Sequence, residues 1–126
     1  IASYNSFFLK TQEILIKTPN CRFFVQTDEQ EFLDEFYKHF PNTFHLQELP
    51  PISKDLTTAI HHTLPRSQRK QFGCNILHSI YMQAKCNTVI THTGNCGLWT
   101  ALYRGSSHNL HQYVSDFKHK GNVGWV

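Results

Sequence analysis

Several features that would identify a function are missing from this sequence. The four cysteines, Cys21, Cys74, Cys86 and Cys96, form no C-x-x-C pair, so neither a zinc knuckle nor a thioredoxin-type redox site is expected. An even count permits disulfides in a secretory compartment, and free buried thiols fit the same four residues. No apolar run approaches the ~20 residues that cross a bilayer, so no helical membrane span is expected. No basic-then-apolar leader opens the chain, and Ile1 rather than Met stands first. The sequence therefore reads as an excerpt of a longer chain. There is no N-x-S/T acceptor, no internal repeat and no low-complexity tract. Charge is also sparse: 17% of residues are charged, with 12 Lys and Arg against 9 Asp and Glu. Apart from Arg66, Arg69 and Lys70 the cations are scattered, whereas a nucleic-acid footprint is a dense patch. Nucleic acid is not an expected partner.

Apolar and aromatic material is plentiful. Of 126 residues, 40% are hydrophobic, including ten Phe, five Tyr and two Trp. Large rings supply a real core, and this length suits one compact domain. Nine histidines make the net charge of +3 more positive below neutral pH.

Periodicity divides the chain into alternating elements. Tyr4, Phe7, Phe8, Thr11, Ile14 and Leu15 recur at helical spacing between Ser3 and Lys17, before the Pro19-Asn20 loop. Phe23-Phe24-Val25 is a short run of strand formers that suits a buried, parallel strand. Asp28 and Glu31 have capping-box spacing for a second helix, which carries Phe32, Leu33, Phe36 and Phe40 and stops at Pro41. Thr43 to Gln47 alternates like a strand closed by Leu49-Pro50-Pro51. Residues 52–70 read as a mobile loop over a site, in which Asp55 to Leu64 could form a short helix and Pro65 to Lys70 is polar and basic. Phe72, Ile76, Leu77, Ile80 and Tyr81 mark a further helix over 71–85. Val89-Ile90 lies in a second buried strand. His92 to Asn95 form a turn, and Cys96 to Tyr103 a helix ended by Gly105. Leu110 to Val114 reads as a last strand and Gly121 to Val126 as a loose tail. This alternation predicts an α/β fold with a mainly parallel sheet. Ligands of such sheets bind beyond the carboxyl ends of the strands, where Thr27-Asp28-Glu29 and Thr91-His92-Thr93-Gly94-Asn95 fall.

The second of these stretches has the parts of an anion site: a helix start with free N–H groups, a glycine for close backbone approach, and hydroxyl donors. Ordinary strand-to-helix turn chemistry uses the same residue types. Asp28 and Glu29 suit a ribose or sugar hydroxyl, a cationic residue, or the capping box. Asn75 and His78 lie on the helix before the second strand, within reach of a nucleotide base or ribose, or simply at the surface. Cys96 at a helix start is a low-pKa thiol candidate or a small packing residue. His108 and His111 are three apart and His61 and His62 adjacent, but there is no H-E-x-x-H and no Cys or carboxylate at ligand spacing, so no metal is expected. No Ser-His-Asp or Cys-His constellation stands out, and no catalytic residue is assigned.

From Tyr4 to about Gly105 the chain resembles the donor-binding half of fucosyltransferase-like glycosyltransferases, nearest to the nodulation and α1,6 group. Phe23-Phe24-Val25-Gln26-Thr27-Asp28-Glu29 is similar to the family's strand ending in Thr-Asp-Asp or Thr-Asp-Glu. Leu77 to Ala84, then Thr88-Val89-Ile90-Thr91-His92-Thr93-Gly94-Asn95 and Trp99 to Tyr103, follow in the family's order. The resemblance implies a single Rossmann-like, three-layer domain over 1–126, one half of a GT-B architecture. It implies GDP-fucose as donor substrate, a glycan or protein acceptor, no obligatory metal and no other cofactor. Donor contacts would fall on Thr27, Asp28, Glu29, Asn75, His78, Thr91, His92, Thr93, Gly94, Asn95 and Cys96. No membrane contact by this segment is implied. The compartment stays open: Golgi or ER lumen in a eukaryote, cytoplasm in a bacterium.

Departures from the family pattern bear on activity. Gly94-Asn95 replaces a usual pair of serines, and the acidic residue of the preceding helix has only Asn75 or His78 as its nearest polar counterpart. The family's basic His/Arg motif precedes the region matching Tyr4 and is not in this sequence, nor is an acceptor domain. Transfer needs a base for the acceptor hydroxyl and positive charge on the leaving diphosphate, so this segment alone is expected to be inactive. A non-catalytic α/β nucleotide- or glycan-binding module is the alternative expectation, and a histidine-based metal module a third.

Overall fold

The computed structural model describes residues 3–52, 60–115 and 123–125. Its elements, in chain order, are α1 (Tyr4–Lys17), β1 (Phe23–Phe24), α2 (Gln30–His39), β2 (Thr43–Phe44), α3 (Ile60–Thr63), α4 (Arg66–Lys85), β3 (Val89–His92), α5 (Asn95–Arg104), β4 (Leu110–Ser115) and β5 (Val123–Trp125). The fold is mixed α/β, as the alternating pattern predicts. β1 pairs with β2 and β3 with β4, both in parallel, while β5 joins β4 antiparallel. The chain divides into two compact units, one of residues 1–19 and 80–126, the other of residues 20–79.

In the unit of residues 20–79, β1 carries Phe23 against Phe36 and Phe40 of the α2 segment, with ring centroids 5.9 and 5.4 Å apart. Val25, Leu33, Phe36, Phe40 and Leu49 are buried there, matching the apolar stripe read from α2. The expected capping box does not form. Glu29, not Asp28, holds the cap position, and its side chain makes no cap hydrogen bond. The backbone of this segment is engaged instead: the Ile52 N–H donates to the Asp28 carbonyl and the Gln30 N–H to the Ile52 carbonyl, each at 2.9 Å. A strand-like bridge between Glu29 and Ile52 thus sets how the chain enters α2.

In the other unit, Ser3 caps α1 by accepting from the Ser6 N–H. All six residues read as its inner face are buried or half-buried, whereas Leu9 and Ile16, outside that set, are exposed. The ring of Phe7 packs 6.1 Å from Tyr113 on β4 and 5.5 Å from Trp125 on β5. Parallel register joins Val89 to Leu110 and His92 to Tyr113. Ile80, Ala84, Val89 and Tyr113 form the apolar core, with Thr11 and Thr100 fully buried beside them.

Three sequence expectations are corrected. Arg66 to Lys70 is not a loop but the first turn of α4, whose Gln68 N–H donates to the Pro65 carbonyl. Pro65 suits a helix start because it lacks an N–H that would otherwise go unpaired. The remainder of the expected loop, 53–59, lies outside the described residues, and of the short helix expected over 55–64 the described part is α3. Within the tail, 123–125 form a strand, because Trp125 pairs with Tyr113 and its ring sits 5.0 Å from that tyrosine. Three residues are too few to announce a strand by alternation. On α4, Ile80 is buried and Phe72 and Ile76 are half-buried as expected, but Leu77 and Tyr81 are about half exposed; Ser79 and Ala84 take the buried positions instead.

Candidate functional site

The strand-to-helix turn from Thr91 to Gly97 is the most specifically built local feature among the described residues. β3 ends at His92, and the Thr93 N–H continues the ladder by donating to the Tyr113 carbonyl at 3.1 Å. Gly94 holds the cap position of α5 in an extended conformation and offers no side chain to cap it. Its carbonyl accepts from the Leu98 N–H at 3.0 Å, closing the first helical turn. A helix start leaves its first N–H groups without intrahelical carbonyls, and no acidic side chain occupies this first turn. No acidic side chain of that turn offsets the positive end of the helix.

Gly97 fixes how closely that helix start approaches the strand. A Cβ there would lie 2.6 Å from the His92 carbonyl oxygen and 2.9 Å from Thr91 Oγ1. No side chain fits, so α5 can rest directly on the end of β3 only with glycine at this position. Thr100, one turn further, is completely buried. Its hydroxyl lies 2.8 Å from the Cys96 carbonyl and 3.2 Å from Gln83 Oε1, which ties α5 to the end of α4.

Arg104 and Gly105 close the other end of the helix. Gly105 adopts φ 65°, and its N–H donates to the carbonyls of Ala101 and Leu102. The Arg104 guanidinium donates to four backbone carbonyls: Ala84 and Cys86 from Nη1, Asn87 and His108 from Nη2. This clamp joins the end of α4, the approach to β3 and the approach to β4. Burial pushes the Cys86 thiol pKa up, and the nearby Arg104 charge partly opposes that rise.

The other expected site residues sit as follows. Thr91 and Thr93 are half-buried, while His92, Asn95 and Cys96 are exposed at the turn. The Thr91 hydroxyl donates to the His92 carbonyl at 3.3 Å. Thr93 Oγ1 is buried and has no hydrogen-bond partner among the described residues. Thr27 accepts from the Glu29 N–H at 3.1 Å, closing a small turn, and Asp28 is exposed. Asn75 has both ends of its amide engaged: Nδ2 donates to the Glu48 carbonyl at 3.2 Å, and Oδ1 accepts from Gln71 Nε2 at 2.8 Å. It pins the segment after β2 to α4. His78 is exposed on the same helix. Thr27, Asp28, Glu29, Asn75 and His78 thus belong to the unit of residues 20–79, and Thr91 to Cys96 to the other.

Sequence reasoning missed Gly97, Thr100 and Arg104. The signal for Gly97 was its spacing three residues after Gly94 at a helix start; a dinucleotide-type fold uses a glycine there for close helix–strand packing. Arg104 immediately before a terminating glycine was the signal for the clamp. Among the described residues no group of three or more His, Cys, Asp and Glu side chains is arranged to hold a metal ion, and no helix is long and apolar enough to cross a membrane. No known protein family, no curated protein and no solved structure matches the chain.

Proposed function

We propose that this chain is a Rossmann-like donor-binding domain of a fucosyltransferase-like glycosyltransferase, and that the Thr91-to-Cys96 turn receives the diphosphate of a nucleotide sugar. The single observation that carries the reading is Gly97. Its missing side chain lets α5 start against the end of β3, where helix N–H groups and a glycine-capped first turn are available to an anion. The chemistry asked of the turn is binding and orientation. The exposed backbone of Gly94 and Asn95 would donate to phosphate oxygens, and the buried Thr93 hydroxyl beside them adds a polar atom with no partner among the described residues. The resemblance gives Asp28 and Glu29 to donor hydroxyls, a separate expectation with its own readout.

Titration of the full-length protein with GDP and GDP-fucose, followed through backbone amide signals, tests this reading. Shifts at Gly94, Asn95 and Cys96 that saturate with either ligand are expected, with a separate response at Asp28 for the sugar nucleotide. No response at Asn95 at millimolar ligand removes the proposal.

One observation favours the non-catalytic alternative. The resemblance needs a polar group on the helix before β3 to contact the nucleoside, and both ends of the Asn75 amide are already engaged in holding the chain together. Assaying the full-length protein for fucose transfer and for donor hydrolysis separates the readings, since a binding module performs neither.

A further inference from the structure

On α5 the usual distribution of a surface helix is reversed. The side turned into its unit carries Gly97, Thr100 and Arg104, whereas Leu98, Trp99, Leu102 and Tyr103 are 55%, 50%, 61% and 52% exposed. At 3.6 residues per turn these four occupy one continuous sector of about 140°. Tyr81, near the end of α4, extends the patch: its ring meets Tyr103 edge-on at 6.2 Å, and Tyr103 lies 6.4 Å from Trp99. Lys85 borders it, with its ammonium 5.1 Å over the Tyr81 ring.

We propose that this face is the contact of a homodimer, with α5 of one copy packed against α5 of a second about a two-fold axis. Area is the first argument. Three half-exposed aromatic side chains of ~150–250 Å² each, with two leucines, offer roughly 400 Å² of apolar surface on one copy. Two such faces and their polar rim reach the ~1,000 Å² that a weak but specific interface buries. Charge is the second. None of the five patch residues is Asp, Glu, Lys or Arg, so self-apposition brings no such charges together at the centre, and Lys85 stays at the rim. Symmetry is the third. A two-fold axis perpendicular to α5 sets the two helices antiparallel, which places opposite dipole ends side by side. The centre would be Trp and Tyr, the residue types that dominate interface energetics.

Sedimentation velocity over roughly 1–200 µM, the range expected for an interface of this size, is the test. The weight-average mass of the full-length protein should rise with concentration from that of one copy toward twice that value. The paired change Trp99→Ser and Leu102→Ser should weaken association at least tenfold, while Ile16→Ser, at a more exposed apolar site on α1, should leave it unchanged. Should the paired variant fail to fold, concentration-dependent shifts of the wild-type Trp99 indole signal, with the Ile16 methyl signals unmoved, give the same information. A mass of one copy throughout overturns the proposal, whatever other protein the face binds. So does a dimer that loss of Trp99 and Leu102 does not weaken, or an indole signal that does not move.

Discussion

At the scale of single residues, two side chains hold the strand-to-helix turn from opposite directions. Gly97 acts by absence. Adding one methyl group places carbon 2.6 Å from the His92 carbonyl, and a backbone oxygen cannot swing aside as a flexible side chain would. Gly97→Ala is expected to lower stability by about 1–3 kcal/mol, the usual cost of overpacking. The same substitution should weaken any nucleotide response at Asn95, because the helix start must move off the strand. Thermal unfolding and amide titration of one sample measure both. A variant as stable as wild type with an unchanged response would remove Gly97 from the site. Arg104 acts by presence. Its planar fork reaches four carbonyls, and truncation strands those that no other donor can reach. Arg104→Met should cost about 2–4 kcal/mol by denaturant titration, given ~1.5–3 kcal/mol for a hydrogen bond to a charged group and partial rescue by water. Arg104→Lys should recover only part of that, since a point charge cannot satisfy four diverging acceptors.

At the scale of elements, α1, α2 and the short strands β1 and β2 were legible, whereas the buried face of α5 and the strand β5 were not. α1 and α2 place aromatic or aliphatic residues at their inward positions, the buried Thr11 excepted, so spacing exposes their faces. α5 defeats that logic. Its inward face is glycine, threonine and arginine, residues that the hydrophobic pattern assigns to solvent, so periodicity finds the helix but inverts its sides. β5 is invisible for another reason: three residues become a strand only when Trp125 docks on Phe7 and Tyr113.

The contact of α1 with β4 also gives a pH dependence. His111 on β4 has its pKa lowered, first by burial and then by the charge of Lys10, with Glu13 opposing and Lys17 adding to the effect. A folded-state pKa below the unfolded 6.5 means the unfolded chain binds more protons in the interval between them. The stabilisation is complete above pH 6.5 and is lost as pH falls through the folded value. His111→Asn should therefore flatten the decline in unfolding free energy between pH 7 and pH 5 relative to wild type. Equal slopes for the two proteins would show that His111 is not a source of it. Glu13, held down to about 2 by hydrogen bonds from Lys17 and Lys10, contributes lower on the scale, between its ordinary 4.5 and that value. That contribution is fully exposed and is expected to vanish in high salt.

For the molecule as a whole, composition indicated enough apolar material for a core, and alternation indicated an α/β fold with a mainly parallel sheet, where the structure has two small sheets. Neither could decide the state of the cysteines, because an even count fits disulfides and free thiols equally. That depends on which residues the fold brings together. None of the four cysteines is in a disulfide: Cys74 and Cys96 are exposed, Cys21 and Cys86 half-buried. No cross-link then supports the fold, and its stability rests on packing and hydrogen bonds. Thermal midpoints with and without reductant should agree within error, whereas breaking a native disulfide in a small domain typically costs ~2–5 kcal/mol. Thiol accessibility should separate the four in the order of their exposure. Cys74 and Cys96 should react quickly with a colorimetric thiol reagent under native conditions. Cys86 should lag, since burial raises its pKa and reduces the reactive thiolate. Fewer than four reactive thiols after full denaturation without reductant would mean that a bridge exists and supports the core.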